Sequence, residues 1–356
     1  MSLKFSKRLE SPAGLRVAVP ILSVLLALLC GALLLALYGE SPLEVYRSML
    51  VSAFGTYYGF SETLVKSIPL MLAALAISVA FRMKLWNIGA EGQIYMGAFA
   101  ASGIALFLGD WPAWLLLPLM ILAGMLSGAF WAYIPGVLKA FLQVNETLTS
   151  LLLNYVAILW VSYLCLGPWR DPAGLNFPLS ARFSENATLP TLGDSRIHLG
   201  LLVALVLAVI LWLVIQRTRW GYEIRVIGES WEAARYAGIS IPRNIVLVMA
   251  LSGALAALAG VFEVAGITHR LQQGLSPGYG YSAIIVAWLG QLNPLAIVPV
   301  AVLFGALLVG GYSVQTEGVP FAIALILQGL ILFFLLGGEV FISHRLTWNR
   351  KRRVNR

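Results

Sequence analysis

The feature that most constrains this chain is a succession of ten apolar stretches, each near the length that crosses a bilayer as a helix. They lie at 17–38, 63–81, 90–108, 112–133, 146–167, 198–215, 244–264, 279–291, 294–313 and 319–337. About 20 apolar residues in helical conformation span the hydrocarbon core. The eighth stretch is short and flanked by glycines, which marks a broken or re-entrant element. Composition agrees: of 356 residues, 60% are hydrophobic and 11% charged, where soluble domains carry roughly 25% charged residues. The mean hydropathy is +0.85. So few charges cannot cover a water-facing surface, which excludes a soluble enzyme and a disordered chain. The apolar runs are continuous rather than alternating, which excludes an outer-membrane barrel. The expected fold is all-α, a polytopic helical bundle of about ten transmembrane helices forming one domain over 1–356.

Ten crossings place both ends of the chain on one side, and the basic residues say which. Lys4, Lys7, Arg8, Arg16, Arg82, Lys84, Lys139, Arg217, Arg219, Arg225, Arg235, Arg243, Arg345, Arg350, Lys351, Arg352, Arg353 and Arg356 fall on one side, eighteen of the 24. Arg47, Lys66, Arg170, Arg182, Arg196 and Arg270 fall on the other. Basic residues collect in cytoplasmic loops, so both ends are expected inside, with 168–197 an external loop, 216–243 a cytoplasmic loop and 338–356 a basic cytoplasmic tail. The net charge of +8 then reflects lipid headgroups, not nucleic acid. The basic N-terminus lacks a clear small-residue cleavage site, so the first stretch reads as a retained span. Cys30 and Cys165 sit singly in apolar runs and read as small core residues.

Several stretches carry small residues four apart: Gly124 with Gly128, Gly97 with Ala101, and Ser252, Ala256 and Gly260. Such rows let helix backbones approach closely in lipid. An offset of five crossings would relate spans two to five and seven to ten as an inverted pair. Catalytic chemistry is not visible. There is no Gly-Lys dipeptide for a phosphate-binding loop, and His198, His269 and His344 have no metal-ligand spacing. A pore or carrier is therefore expected, with no cofactor and no metal in this chain. An ion-coupled carrier needs acids buried within its spans, for which Glu91 and Glu263 are the candidates; a border carboxylate capping a helix start is the plainer reading of each.

The most informative stretch is 220–242. Ser230 can cap a helix start, Trp231 to Ala237 can continue it, and Gly238 suits the residue past its end. A helix of two turns is not stable alone, so this one must pack on something: the lipid interface, or a partner that moves the bundle. Glu229, Trp231, Glu232, Ala233, Ala234, Tyr236 and Gly238 are the candidate contact residues.

This segment resembles the coupling region of ABC-transporter permeases of the ribose, branched-chain amino acid and nucleoside superfamily. Residues 81–93, Phe-Arg-Met-Lys-Leu-Trp-Asn-Ile-Gly-Ala-Glu-Gly-Gln, are similar to the start of that superfamily's third span. Residues 144–155, Val-Asn-Glu-Thr-Leu-Thr-Ser-Leu-Leu-Leu-Asn-Tyr, are similar to the start of its fifth, and 278–295 resembles its glycine-rich stretch before the ninth. The Asn-Ile-Gly-Ala-Glu-Gly-Gln string and the long external loop favour the nucleoside branch, whose binding protein is a basic-membrane-protein-type lipoprotein. Trp288 and Ala296 depart from the usual small residue and glycine.

The resemblance implies a permease subunit of an ATP-driven importer in a bacterial inner membrane. Its implied partners are a second homologous permease, a cytoplasmic ATPase with two nucleotide sites that binds ATP and magnesium, and an extracytoplasmic substrate-binding lipoprotein. A nucleoside is the expected substrate; a simple sugar, a branched-chain amino acid, or an ion-coupled carrier are the alternatives. A nucleoside path needs hydrogen-bonding groups and a ring face but little charge, so Asn87, Glu91, Gln93, Asn145, Asn154, Tyr155 and Trp288 are the candidate path residues. Hydrogen bonding between helices competes with the path role at each polar one. Asn154 is the foremost path candidate, being the deepest in an apolar span.

Overall fold

A computed structural model describes residues 2–7, 13–193 and 195–349. Thirteen helices account for most of them. In chain order these are α1 Ala13–Tyr38, α2 Pro42–Phe54, α3 Tyr57–Arg82, α4 Ala90–Phe107, α5 Ala113–Leu142, α6 Glu146–Leu166, α7 Gly200–Arg217, α8 Arg219–Glu229, α9 Trp231–Tyr236, α10 Ile241–Glu263, α11 Tyr279–Leu289, α12 Pro294–Ser313 and α13 Ala322–Ser343. Each of the ten apolar stretches lies largely within one helix. Seven helical segments among the described residues are long and apolar enough to cross a membrane. Of the other three, α4 is diluted by Glu91 and Gln93 in its first turn, while α11 and the apolar part of α13 are shorter. The all-helical expectation has one exception: β1 Ser2–Lys7 pairs antiparallel with β2 His344–Asn349, Leu3 opposite Trp348 and Phe5 opposite Leu346. Helix α13 runs on to Ser343, past the expected end of the tenth span.

The chain divides into two compact units. The smaller comprises residues 1–50 and 310–356. In it α1 packs antiparallel on α13, with Gly31 against Leu327 and Gly338 against Val19. The Tyr46 hydroxyl donates to the Leu28 carbonyl at 2.7 Å, holding α2 to α1.

The larger unit, residues 51–309, is layered by burial. Helices α3 and α10 have no polar face through their central turns and lie inside, with 89% and 78% of their most apolar 18 residues buried, against 22% for α5. A helix without a polar face belongs in a bundle interior. Helices α4, α5 and α10 meet where the small residues are. A Cβ on Gly253 would strike the Gly128 carbonyl and the Ala132 methyl, and one on Gly97 would strike the Ala257 backbone. The row Ser252–Ala256–Gly260 does not face α5: the Ser252 hydroxyl turns to the Ala76 carbonyl of α3 at 2.8 Å and a Cβ on Gly260 would strike the Ile94 carbonyl of α4, whereas the next positions, Gly253 and Ala257, meet Gly128 of α5. One residue along a helix is a 100° rotation, which separates the two neighbours.

The two ends of this unit differ. At one, residues 178–189 lie along 265–273: Ser180 N–H donates to Leu271 O at 2.8 Å, Phe183 N–H to His269 O at 2.9 Å and Leu189 N–H to Ala265 O at 2.9 Å. Arg196 pairs with Glu62 there at 3.3 Å. At the other, basic end, the Arg82 guanidinium donates to Leu292 O at 2.6 Å and Lys139 pairs with Glu146 at 2.9 Å. Between Leu271 and Leu292 the chain therefore passes from one end to the other, yet α11 has only 11 residues. At 1.5 Å per residue that is about 16 Å, roughly half the hydrocarbon thickness. The remainder, 269–278, is non-helical chain entering the bundle. Gly253→Leu should lower the detergent-phase unfolding free energy by about 3 kcal/mol or abolish a monodisperse gel-filtration peak. Gly329→Leu, whose Cβ meets nothing within 4 Å, should stay within about 0.5 kcal/mol of the parent.

Candidate functional site

The bundle interior holds a polar knot where α11 begins. Asn87 is fully buried in the turn before α4. Its amide donates to Ser252 Oγ at 2.9 Å and Gln93 Oε1 at 3.1 Å, and its carbonyl oxygen accepts from Gly89 N–H at 3.1 Å and Gln93 Nε2 at 2.9 Å. One side chain so joins the turn, α4 and α10. Asn154, also fully buried, accepts from Gly92 N–H at 2.8 Å and donates to Ile88 O at 2.9 Å and the Tyr281 hydroxyl at 3.2 Å. It clamps α6 to α4 and α11.

Glu91 completes the knot. Its carboxylate accepts from Gly280 N–H at 2.7 Å, with the Ser276 hydroxyl as a further donor. The first turn of a helix has unpaired N–H groups, and Glu91 supplies an acceptor for one of them from a neighbouring helix. Gly280 is required there because a Cβ would strike the Glu91 backbone. The helix start that Glu91 caps is that of α11, not of its own helix.

Four of the sequence-derived path candidates, Asn87, Glu91, Gln93 and Asn154, are thus brought together, and three are not. Asn145 is exposed and caps α6, accepting from Thr147 N–H at 2.9 Å and Leu148 N–H at 3.3 Å. Tyr155 is 59% exposed on the outer side of α6, beside the knot rather than in it. Trp288 lies at the basic end of α11, its ring 6.2 Å from Phe81 and 6.1 Å from Trp86. Glu263 is buried at the far end of α10, where the helix widens into a π-turn over Val264–Thr268.

The second assembly is the arm between α7 and α10. Thr218 caps α8 through Gly221 N–H at 3.1 Å, and Ser230 caps α9 through Ala233 N–H at 3.2 Å. Gly238 ends the arm in left-handed conformation, φ +71°. Ala234 is fully buried within this chain, so it packs inside the arm and is not among the exposed contact residues expected from sequence. Trp231 is half-buried, while Glu229, Glu232, Ala233 and Gly238 are exposed and Tyr236 is entirely so. The carboxyl of Glu232 is held below the usual range by its own backbone N–H and by the Ser230 hydroxyl. Its charge therefore persists on the exposed face.

Sequence reasoning missed what anchors the arm. The Trp220 indole N–H donates to Asn244 Oδ1 at 2.8 Å, and Asn244 Nδ2 donates to Glu223 Oε2 at 2.9 Å. Asn244 is a buried amide one turn into an apolar span, the same signal that drew attention to Asn154. Asn154→Leu should strip partners from buried Gly92 N–H and Ile88 C=O, lowering unfolding free energy by about 1–3 kcal/mol. Tyr155→Leu should change it by less than about 0.5 kcal/mol. Thermal denaturation of the purified variants reads both.

The family described as the permease component of branched-chain amino acid transport systems matches residues 59–336. The chain is 41% identical to the glucose ABC transporter permease protein TsgB13 of Haloferax volcanii, over 100% of this chain and 96% of that one. It is 35% identical to the guanosine ABC transporter permease protein NupP of Bacillus subtilis, covering 89% and 92% of the two chains. It is 31% identical to the nucleoside ABC transporter permease protein NupB of Lactococcus lactis, covering 90% of each. With apolar helices long enough to cross a membrane several times, and with this family match over most of its length, the chain belongs to the ABC-transporter permeases of the branched-chain amino acid transport family, a multi-pass membrane transport subunit.

Proposed function

We propose that this permease forms the translocation path of an ATP-driven nucleoside importer in a bacterial inner membrane, and that a separate cytoplasmic ATPase moves it through the α8–α9 arm. A second homologous permease and an extracytoplasmic binding lipoprotein complete the assembly, with both ends of this chain cytoplasmic across ten crossings. The observation that carries the reading is the capped start of α11. In carriers built with interrupted helices, half-helix N-termini face the anionic groups of substrates. Here Glu91 already occupies that position through Gly280 N–H. A substrate carboxylate would find that helix start already capped, which disfavours amino acids and leaves an uncharged, hydroxyl-bearing ring. Relatives named for guanosine and nucleosides support this substrate class.

The glucose permease relative, matched over the whole chain, favours a simple sugar as the second reading. Both fit an uncharged path, so uptake must separate them. Cells expressing the complete system should accumulate labelled guanosine in an ATP-dependent, ionophore-resistant manner, with a hundredfold excess of unlabelled glucose reducing uptake by less than half. Accumulation of glucose alone would replace the nucleoside assignment.

The arm follows the same logic. Ala234 is internal, so enlarging it damages the chain's own packing and cannot isolate a docking surface. Tyr236 projects fully, and an exposed aromatic is a common anchor of protein interfaces. Tyr236→Glu should lower ATP-dependent uptake about tenfold or more at unchanged membrane abundance. Wild-type uptake by that variant would remove the arm from the coupling role.

A further inference from the structure

An open cleft of about 760 Å³ lies between α8 and the first turns of α10. Arg219 and Arg243 line it and are exposed, while Leu247 and Leu251 carry the lining further along α10. Neither arginine has a carboxylate within ion-pair distance among the described residues. Glu223 also lines the cleft, but its carboxylate is drawn to the Asn244 amide at 2.9 Å. The Trp220 indole, bonded to the other end of the same amide, completes the wall. The cleft is therefore held open by hydrogen bonds between α8 and α10 that do not use the arginines.

The order of groups along α10 is informative. From Arg243 to Leu251 is eight residues, about 12 Å at 1.5 Å per residue. Over that distance the lining changes from guanidinium through indole and amide to aliphatic, and Leu247 is 43% exposed. The sequence of basic, aromatic and apolar surface matches a phospholipid entering the bilayer from its headgroup inward. A soluble anion would leave the leucines unused.

We propose that this cleft binds one anionic phospholipid, its phosphate between Arg219 and Arg243, its glycerol region beside Trp220 and the start of an acyl chain along Leu247 and Leu251. The lipid then wedges the arm against α10, so the arm's setting depends on the charge of the surrounding leaflet.

The test is native mass spectrometry of the full-length chain in detergent, titrated separately with phosphatidylglycerol and phosphatidylcholine. One phosphatidylglycerol should be retained at least tenfold more tightly than phosphatidylcholine. Arg219→Gln/Arg243→Gln should weaken it about twenty-five-fold, from roughly fivefold per lost basic contact. Arg217→Gln, an exposed arginine outside the cleft, should bind as the parent does. Should the double variant lose its gel-filtration peak, Arg243→Gln alone is read against the fivefold expectation. Equal affinity for the two lipids, undiminished binding by the arginine variants, or displacement of the lipid by millimolar inorganic phosphate would each overturn the assignment. In native membranes, a photo-crosslinker at Leu247 should label phospholipid. Labelling of another polypeptide instead would make the cleft a protein contact and overturn it.

Discussion

A helix interrupted inside a bilayer must find its hydrogen-bond partners within the protein, because hydrocarbon offers none. The rest of the larger unit depends on how that demand is met at α11. The chain enters the bundle without helical structure over 269–278 and begins a half-length helix packed on α3 and α4, within reach of Asn154 on α6. Glu91 answers the unpaired N–H groups at that start, and Asn154 ties α6 and α4 to Tyr281 of α11. Asn87 and Ser252 fix the turn from which α4 rises and secure it to α3 and α10. Buried polar networks of this kind are stable only when complete, since each unsatisfied group inside costs more than a satisfied one contributes. The small residues of α4, α5 and α10 serve the same end by bringing backbones close enough for short side chains to bridge them.

The knot also has chemical consequences. A buried carboxylate with backbone and hydroxyl donors is a local feature of the fold, and at the same time it removes the one helix N-terminus that could attract an anion there. The proposed preference for uncharged substrates follows from that double use. Two hydrogen-bonding amides and two tyrosines lie close by, at Asn154, Gln93, Tyr281 and the more exposed Tyr155. Weak, neutral contacts suit a path through which a solute must pass without being retained.

At the basic end the same division between anchor and surface recurs on a smaller scale. The Trp220–Asn244–Glu223 chain of hydrogen bonds holds the arm to α10 and Ala234 is buried, while Tyr236 and Glu232 of α9 stay exposed. Helix α10 is in turn packed against α3, α4 and α5. In the proposed importer, the short arm and the central helix act as one mechanical piece, with the arginine-lined cleft at their junction.

Much of this was legible in the residues. Apolar runs and basic-residue asymmetry speak for helices and their ends because transfer of each group between water and lipid depends on its own chemistry. Ser230 and Gly238 likewise mark α9 through local backbone preferences, and the glycines around 279–291 mark an element too short to span alone. The partners of buried polar groups were not legible. Asn87, Glu91, Gln93 and Asn154 stand out as polar residues in an apolar chain, but the sequence does not say that Glu91 caps α11 or that Asn145, equally polar, stays at the surface. Nor does it show that Ala234 faces inward. Those outcomes depend on which faces of helices far apart in the chain come together, and only the tertiary packing decides that.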